Sequence, residues 1–197
     1  MEPDVSIVMG VRDEEKNIGA TLESILSQTL SSWELIVVDD GSKDKTTAIL
    51  EKVRKSEPRL RVVAQGASGL TAALIRGCML ARGRWIARHD AGDVSTPHRL
   101  EKQLELAMKE EQVVLVSCWT RVVGPAGEQL YDIQRDCEDC TADLYQLKKT
   151  AIGPSHHGSV EYRYYCGDES GHCFLSSKAN AVLTALLSFH KISRVTK

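Results

Sequence analysis

VSIVMGVRDEEKNIGATLESILSQTLSSWELIVVDDGSKDKT, residues 5–46, is the stretch that decides the fold. Its first seven residues, VSIVMGV (5–11), form a continuous apolar, β-branched run suited to a strand buried on both faces. Ile18, Leu22, Ile25 and Leu26 then recur at helical spacing. ELIVVDD (34–40) is a second buried strand, and it ends in two adjacent carboxylates before a glycine. Two apolar strands joined by an amphipathic helix make a βαβ unit, whose strands run parallel.

The alternation continues along the chain. A helix from about Thr46 to Lys55 stops before Pro58, and LRVVAQ (60–65) is the third strand. GLTAALIRGCMLARG (69–83) reads as a helix with Gly83 as its cap. RWIARHD (84–90) is the fourth strand. Pro97 starts the next helix, which carries Leu100, Leu104, Leu106 and Met108. VVLVSCWTRVV (113–123) is expected as a fifth strand. This pattern predicts an α/β protein with a mostly parallel sheet flanked by helices, and functional groups just after each strand.

Those strand exits are acidic. Asp13 and Glu14 follow the first strand, Asp39 and Asp40 end the second, and Asp90 and Asp93 follow the fourth. Helix capping accounts for Asp13 and Asp44. It does not account for Asp39–Asp40 before Gly41, or for Asp90 and Asp93 straddling Gly92. Carboxylates gathered at one edge repel unless a cation or hydrogen-bond donors offset them, which points to a divalent metal. No glycine loop of the Walker type and no GxGxxG pattern follows the first strand, so phosphate charge would fall mainly to that metal.

Bulk properties narrow the class. The 197 residues are 42% apolar and 26% charged, which is ordinary for one globular core. A net charge of −2 offers nothing to nucleic acid. The acidic start MEPDVSIVMG does not read as a signal peptide. ANAVLTALLSF (179–189) falls short of the ~20 residues that span a bilayer, so no transmembrane segment is expected. The expected location is the cytoplasm, including the inner face of a membrane. Six cysteines without a secretory signal read as reduced thiols. Cys137 and Cys140 form a CxxC pair with Cys166, His172 and Cys173 downstream, but the second half lacks zinc-ligand spacing and loop cysteines are the better reading.

The segments 5–46 and GLTAALIRGCMLARGRWIARHDAGDVSTPHRLEKQL (69–104) closely resemble the family 2 glycosyltransferases, inverting enzymes of the GT-A fold that use nucleotide sugars. The resemblance covers residues 4–124, and HHGSV (156–160) resembles a later family motif and extends it to Val160. It implies that Asp39 hydrogen-bonds the nucleotide base and Asp40 holds the ribose side. Val11, Arg12 and Glu14 would border base and ribose. Asp90 matches the first acid of the family's DxD element; the second falls on Gly92, and Asp93, one residue on, is the nearest substitute. Asp90 and Asp93 are thus the implied ligands of Mg²⁺ or Mn²⁺ on the donor diphosphate. The acceptor, whether glycan, lipid or protein, is not named by any motif.

Residues 1–160 are therefore expected as the nucleotide-sugar-binding domain and 161–197 as an atypical tail, truncated or frame-shifted relative to the family. The family's catalytic base lies in a carboxylate pair ahead of an aromatic-rich helix. Asp168 and Glu169 are the only acids beyond Glu161, set in a loop rich in Cys, Gly, Ser and His. They are the candidate bases, against a plain reading as surface acids, and slow transfer is the expectation. His89 reads first as a residue alternating off the core strand, His156 and His157 as solvated loop histidines, and Trp33, Trp85 and Trp119 as packing residues. A domain that binds nucleotide sugar without transferring it is the main rival; a nucleotidyltransferase is weaker, because GVRDEEKN is acidic where that chemistry wants Gly and Lys.

Overall fold

The computed structural model describes residues 2–109, 115–116, 118, 120–124, 126–133, 163–166 and 174–176. Its principal sheet is built from β1 (Val5–Val11), β2 (Trp33–Asp39), β3 (Leu60–Ala64), β4 (Trp85–Arg88), β6 (Leu115–Val116) and β10 (Phe174–Ser176). The spatial order is β3-β2-β1-β4-β10-β6. β3, β2, β1 and β4 run parallel, and β10 is antiparallel to both of its neighbours. The chain winds outward from β1 to β3, then crosses back to lay β4 on the other side of β1. Such a reversal opens a crevice at the carboxyl ends of the two central strands.

Side-chain alternation explains why β1 and β2 are buried throughout. Val5, Ile7, Met9 and Val11 of β1 and Trp33, Leu35 and Val37 of β2 face one way. They meet Ile18, Leu22 and Ile25 of α1 (Ile18–Leu26), Leu50 of α2 (Thr46–Arg54) and Leu100 of α4 (Arg99–Lys109). On the opposite face Val8, Ile36 and Val38 pack with Ala73 and Leu74 of α3 (Leu70–Leu80). Helices on both faces leave the strands no polar side, hence the unbroken apolar runs.

Three local expectations are corrected. Gly83 does not cap α3, which closes at Ala81 with its N–H on Cys78 O. Gly83 instead passes so close to β1 that a Cβ there would lie 2.6 Å from the Ser6 backbone nitrogen. The helix expected from Pro97 begins two residues later, at Arg99, and the Pro97 carbonyl instead accepts the Thr29 N–H at 2.9 Å. The run 113–123 is not one strand. Leu115–Val116 belongs to the principal sheet, whereas β7 (Thr120–Val123) enters a second sheet of order β5-β9-β7-β8. Burial of Thr120, Val122 and Val123 around an exposed Arg121 suits a one-sided strand there.

That second sheet also takes in β5 (Val94–Ser95), β8 (Gln129–Ile133) and β9 (Arg163–Cys166). β9 and β10 both come from beyond residue 160, so this segment contributes one strand to each sheet. Among the described residues no helix is long and apolar enough to cross a membrane.

Gly83→Ala should destabilise the fold by about 1–3 kcal/mol, since the clash is with backbone and not with a flexible side-chain end. Gly19→Ala, where a Cβ meets nothing within 4 Å inside α1, should be neutral or stabilising by a few tenths of a kcal/mol. Urea unfolding of the two variants checks this pair; equal midpoints would remove the close approach as a constraint.

Candidate functional site

The three acidic strand exits converge. β1 and β2 end in register at Val11 and Asp39, and the Asp40 N–H donates to Val11 O at 2.9 Å. The loop after β1 is laced to the loop after β2. Asp13, at φ +55°, accepts the Lys43 N–H at 2.7 Å and donates its own N–H to Ser42 Oγ at 3.1 Å. Asp13 therefore bridges two loops and does not cap α1, a correction that only the neighbouring loop could supply. Asp44 does hold a helix start: it accepts the Thr46 N–H and, through its other oxygen, the Glu15 N–H, each at 2.9 Å.

Asp39 and Asp40 are almost wholly buried. Asp39 accepts the Ser42 N–H at 2.9 Å and the Thr47 hydroxyl. Asp40 accepts Gln65 Nε2 at 2.7 Å and the Ser68 and Gly69 N–H groups at 2.8 Å each. Burial pushes the Asp40 carboxyl up, but these donors, with the Arg12 guanidinium nearby, outweigh it and hold the group below the usual carboxylate range. Asp40 is thus a fixed negative charge. It binds the loop after β3 to the end of β2, a loop that strand-exit reasoning passed over. The cue lay in QGASG (65–69), a Gly/Ser turn directly after a strand.

Glu14 behaves oppositely. Its N–H donates to Thr46 Oγ1 at 2.8 Å, and its carboxylate accepts Asn17 Nδ2 at 3.1 Å. Burial first, then the negative charges of Asp44 and Asp93, raise its carboxyl above the ordinary value despite the Asn17 bond. Acids from the second and fourth strand exits are therefore near enough to oppose the ionisation of Glu14 from the first. Val11 is buried beneath them, and Arg12 is half exposed with its Nε 3.7 Å from Asp13.

Past β4 the chain folds into a tight turn. The Asp93 N–H donates to Asp90 O at 3.2 Å, Gly92 takes φ +97°, and the Gly92 N–H donates to Thr21 Oγ1 at 3.0 Å. That φ suits glycine and strains any other residue. A carboxylate at position 92 would meet this cost, whereas Asp93 is buried directly in the turn. Arg88 clasps Asp90 with two bonds, Nε–Oδ1 at 3.0 Å and Nη2–Oδ2 at 2.9 Å. His89 is buried, with Nδ1 3.0 Å from Asp90 O and Nε2 2.9 Å from Ser95 Oγ, so it does not simply alternate off the core strand. Among the described residues no three His, Cys, Asp or Glu side chains form a ready-made metal cage. Asp168, Glu169, Cys137, Cys140, His156, His157, His172, Cys173 and Trp119 lie outside the described residues.

The family model described as "Glycosyl transferase family 2" matches residues 6–180. The chain belongs to that family. The match runs beyond Val160, where the recognisable motifs end, and takes in both β9 and β10. EpsE of Bacillus subtilis (strain 168), named as a glycosyltransferase, is 36% identical over 116 residues, 58% of this chain and 42% of EpsE. The Escherichia coli UDP-Glc:alpha-D-GlcNAc-diphosphoundecaprenol beta-1,3-glucosyltransferase WfgD is 34% identical over 109 residues, 53% of this chain and 41% of WfgD. The mannosyltransferase PcManGT of Pyrobaculum calidifontis, solved with GDP-Man and Mn²⁺, superimposes with a TM-score of 0.54 at 25% identity. That superposition covers 60% of this chain and 36% of PcManGT. The match to EpsE spans 42% of that protein and the match to WfgD 41%, so the chain spans under half of either. The fold is that of the GT-A glycosyltransferases.

Proposed function

We propose that this family 2 chain binds a nucleotide-diphospho sugar across the carboxyl ends of β1, β2 and β4 and transfers the sugar, with inversion, to an acceptor hydroxyl. The observation that carries the reading is the convergence of acids from three strand exits at the topological switch point, where Asp44 and Asp93 both raise the Glu14 carboxyl. Asp39 offers acceptor capacity to the base, since two bonds leave part of a carboxylate's roughly four lone-pair sites. Asp40, with Val11, Arg12 and Glu14, borders the ribose and base.

Asp90 and Asp93 would hold Mg²⁺ or Mn²⁺. The donor set fits such an ion: every group is a hard oxygen ligand, and the opposed charges around Glu14 are what a cation offsets. Mg²⁺ is commonly held by one or two carboxylates together with substrate phosphates, so a cage of three protein ligands is not required. When bound, the ion would supply Lewis-acid stabilisation to the leaving nucleotide diphosphate. The protein's own part is to fix Asp90 and Asp93 in one turn and to set the base-binding carboxylate across the crevice. Asp168 or Glu169 would take the acceptor proton.

Asp39→Asn keeps the side-chain shape while removing charge and one acceptor. A charge-assisted bond contributes about 1.5–3 kcal/mol, so UDP or GDP should bind about tenfold or more weakly. Calorimetry on the folded variant tests it, and an unchanged affinity for both nucleotides would take Asp39 out of the site.

A further inference from the structure

Arg99, the first residue of α4, is only 2% exposed, yet no carboxylate pairs with it among the described residues. Its Nε donates to Gln103 Oε1 at 3.1 Å and its Nη1 to Ser95 Oγ at 2.7 Å, while Nη2 has no acceptor among the described residues. Burying a guanidinium without a counter-ion is costly, so packing alone is a poor reason for an arginine here. The bonds lead toward the acidic turn. Ser95 Oγ, an acceptor to Arg99, has one proton left to give, and His89 Nε2 stands 2.9 Å away. His89 Nδ1 stands 3.0 Å from Asp90 O, and because a carbonyl only accepts, Nδ1 carries the ring proton there. The guanidinium thus orients the hydroxyl, the hydroxyl fixes the imidazole tautomer, and the imidazole donates to one carbonyl. That carbonyl is the one that accepts the Asp93 N–H and closes the turn.

We propose that Arg99, acting through Ser95 and His89, is a positioning residue that holds the Asp90–Asp93 turn in the shape that presents both carboxylates to the donor diphosphate. The proposal rests on the reading of Asp90 and Asp93 given above, and it assigns work to three residues outside the expected ligand set. α1 braces the same turn from the other side: Thr21 accepts the Gly92 N–H, and Ser24 Oγ accepts the Ser95 N–H at 3.1 Å. The turn is therefore held at its carbonyl by the Arg99 network and at its amides by α1.

Ser95→Ala severs the network with little change in volume and keeps the backbone bond to Ser24; Ser95→Thr restores a hydroxyl on a residue that strands favour. Amide hydrogen exchange at Gly92 and Asp93 should accelerate at least tenfold in Ser95→Ala, stay unchanged in β1 and β2, and return toward wild type in Ser95→Thr. UDP affinity in Mn²⁺ should fall about tenfold in Ser95→Ala, with UDP affinity in EDTA within twofold of wild type. Arg99→Lys, which keeps a donor but loses the planar fork, should fall between. Unchanged exchange at Gly92 and Asp93 would overturn the positioning role. Equal losses with Mn²⁺ and EDTA would overturn it too, reducing Arg99 to a general support of the fold. Faster exchange with Mn²⁺-assisted binding intact would instead overturn the metal role of Asp90 and Asp93, leaving the hold on the turn established.

Discussion

Removing divalent cations should weaken UDP or GDP binding by about tenfold to a hundredfold, and Asp93→Asn should abolish most of that difference. The effect is electrostatic. A nucleotide diphosphate brings negative charge to an edge that already carries Glu14, Asp39, Asp40, Asp44, Asp90 and Asp93. Asp40 is held ionised by its donors, so it does not yield by taking up a proton. Without a cation the diphosphate would meet like charge; Asp90 and Asp93 would hold the ion that offsets it. Every ~1.4 kcal/mol is tenfold, so the expected tenfold to hundredfold ratio corresponds to about 1.4–2.8 kcal/mol of metal-assisted binding. Asp93→Asn removes the buried carboxylate proposed to hold the ion, whereas Asp44→Asn touches a group committed to the Thr46 and Glu15 amides. The ratio of dissociation constants in EDTA and in Mn²⁺ should collapse in the first variant and survive in the second. Equal wild-type affinity in both buffers would leave the two acids as turn and cap residues only.

The architecture was legible because β1 and β2 are covered on both faces, which writes itself as unbroken apolar runs, and because the intervening helices are amphipathic. The convergence of acids followed from the rule that parallel strands open their loops to one edge. Contacts made by distant chain were not legible. Gly83 looks like a cap in any local window; its real constraint is the Ser6 backbone, which no periodicity reveals. VVLVSCWTRVV carries the pattern of one strand whichever sheet takes its halves. Thr21 and Ser24 are polar positions on the core-facing side of α1, and Gln28, just past its end, is buried with them. Its explanation is the segment 92–100: Thr21 accepts Gly92 N–H, Ser24 accepts Ser95 N–H, and Gln28 accepts Leu100 N–H at 3.0 Å while donating to Thr96 O at 2.7 Å. Asp39 and Asp40 were found for their position, but their chief structural work, tying down the loops after β2 and β3, needed Ser42, Thr47, Gln65, Ser68 and Gly69 in place.

Sugar transfer by the 197-residue chain is expected to be slow, and the transfer that remains is expected to depend on Asp168 or Glu169. An inverting displacement needs a carboxylate on the side of the sugar opposite the leaving diphosphate, close enough to take the acceptor proton as the new bond forms. A well-placed general base contributes about 10²–10⁴-fold, and a donor-side cation does not substitute for it because it stabilises the other end of the reaction. Both acids sit in CGDESGHC (166–173), a stretch of Cys, Gly, Ser and His in which the family's carboxylate pair ahead of an aromatic-rich helix is not recognisable. A misplacement on the order of 1 Å already costs about a hundredfold, so donor binding with poor turnover is the expected behaviour. Asp168→Asn and Glu169→Gln, made singly, separate the roles. The one that carries the base should lower kcat by about a hundredfold or more and leave the UDP dissociation constant unchanged, because no donor contact is lost. The other should change neither. Turnover near the ~10 s⁻¹ typical of enzymes, indifferent to both substitutions, would place the proton acceptor elsewhere and refute the assignment.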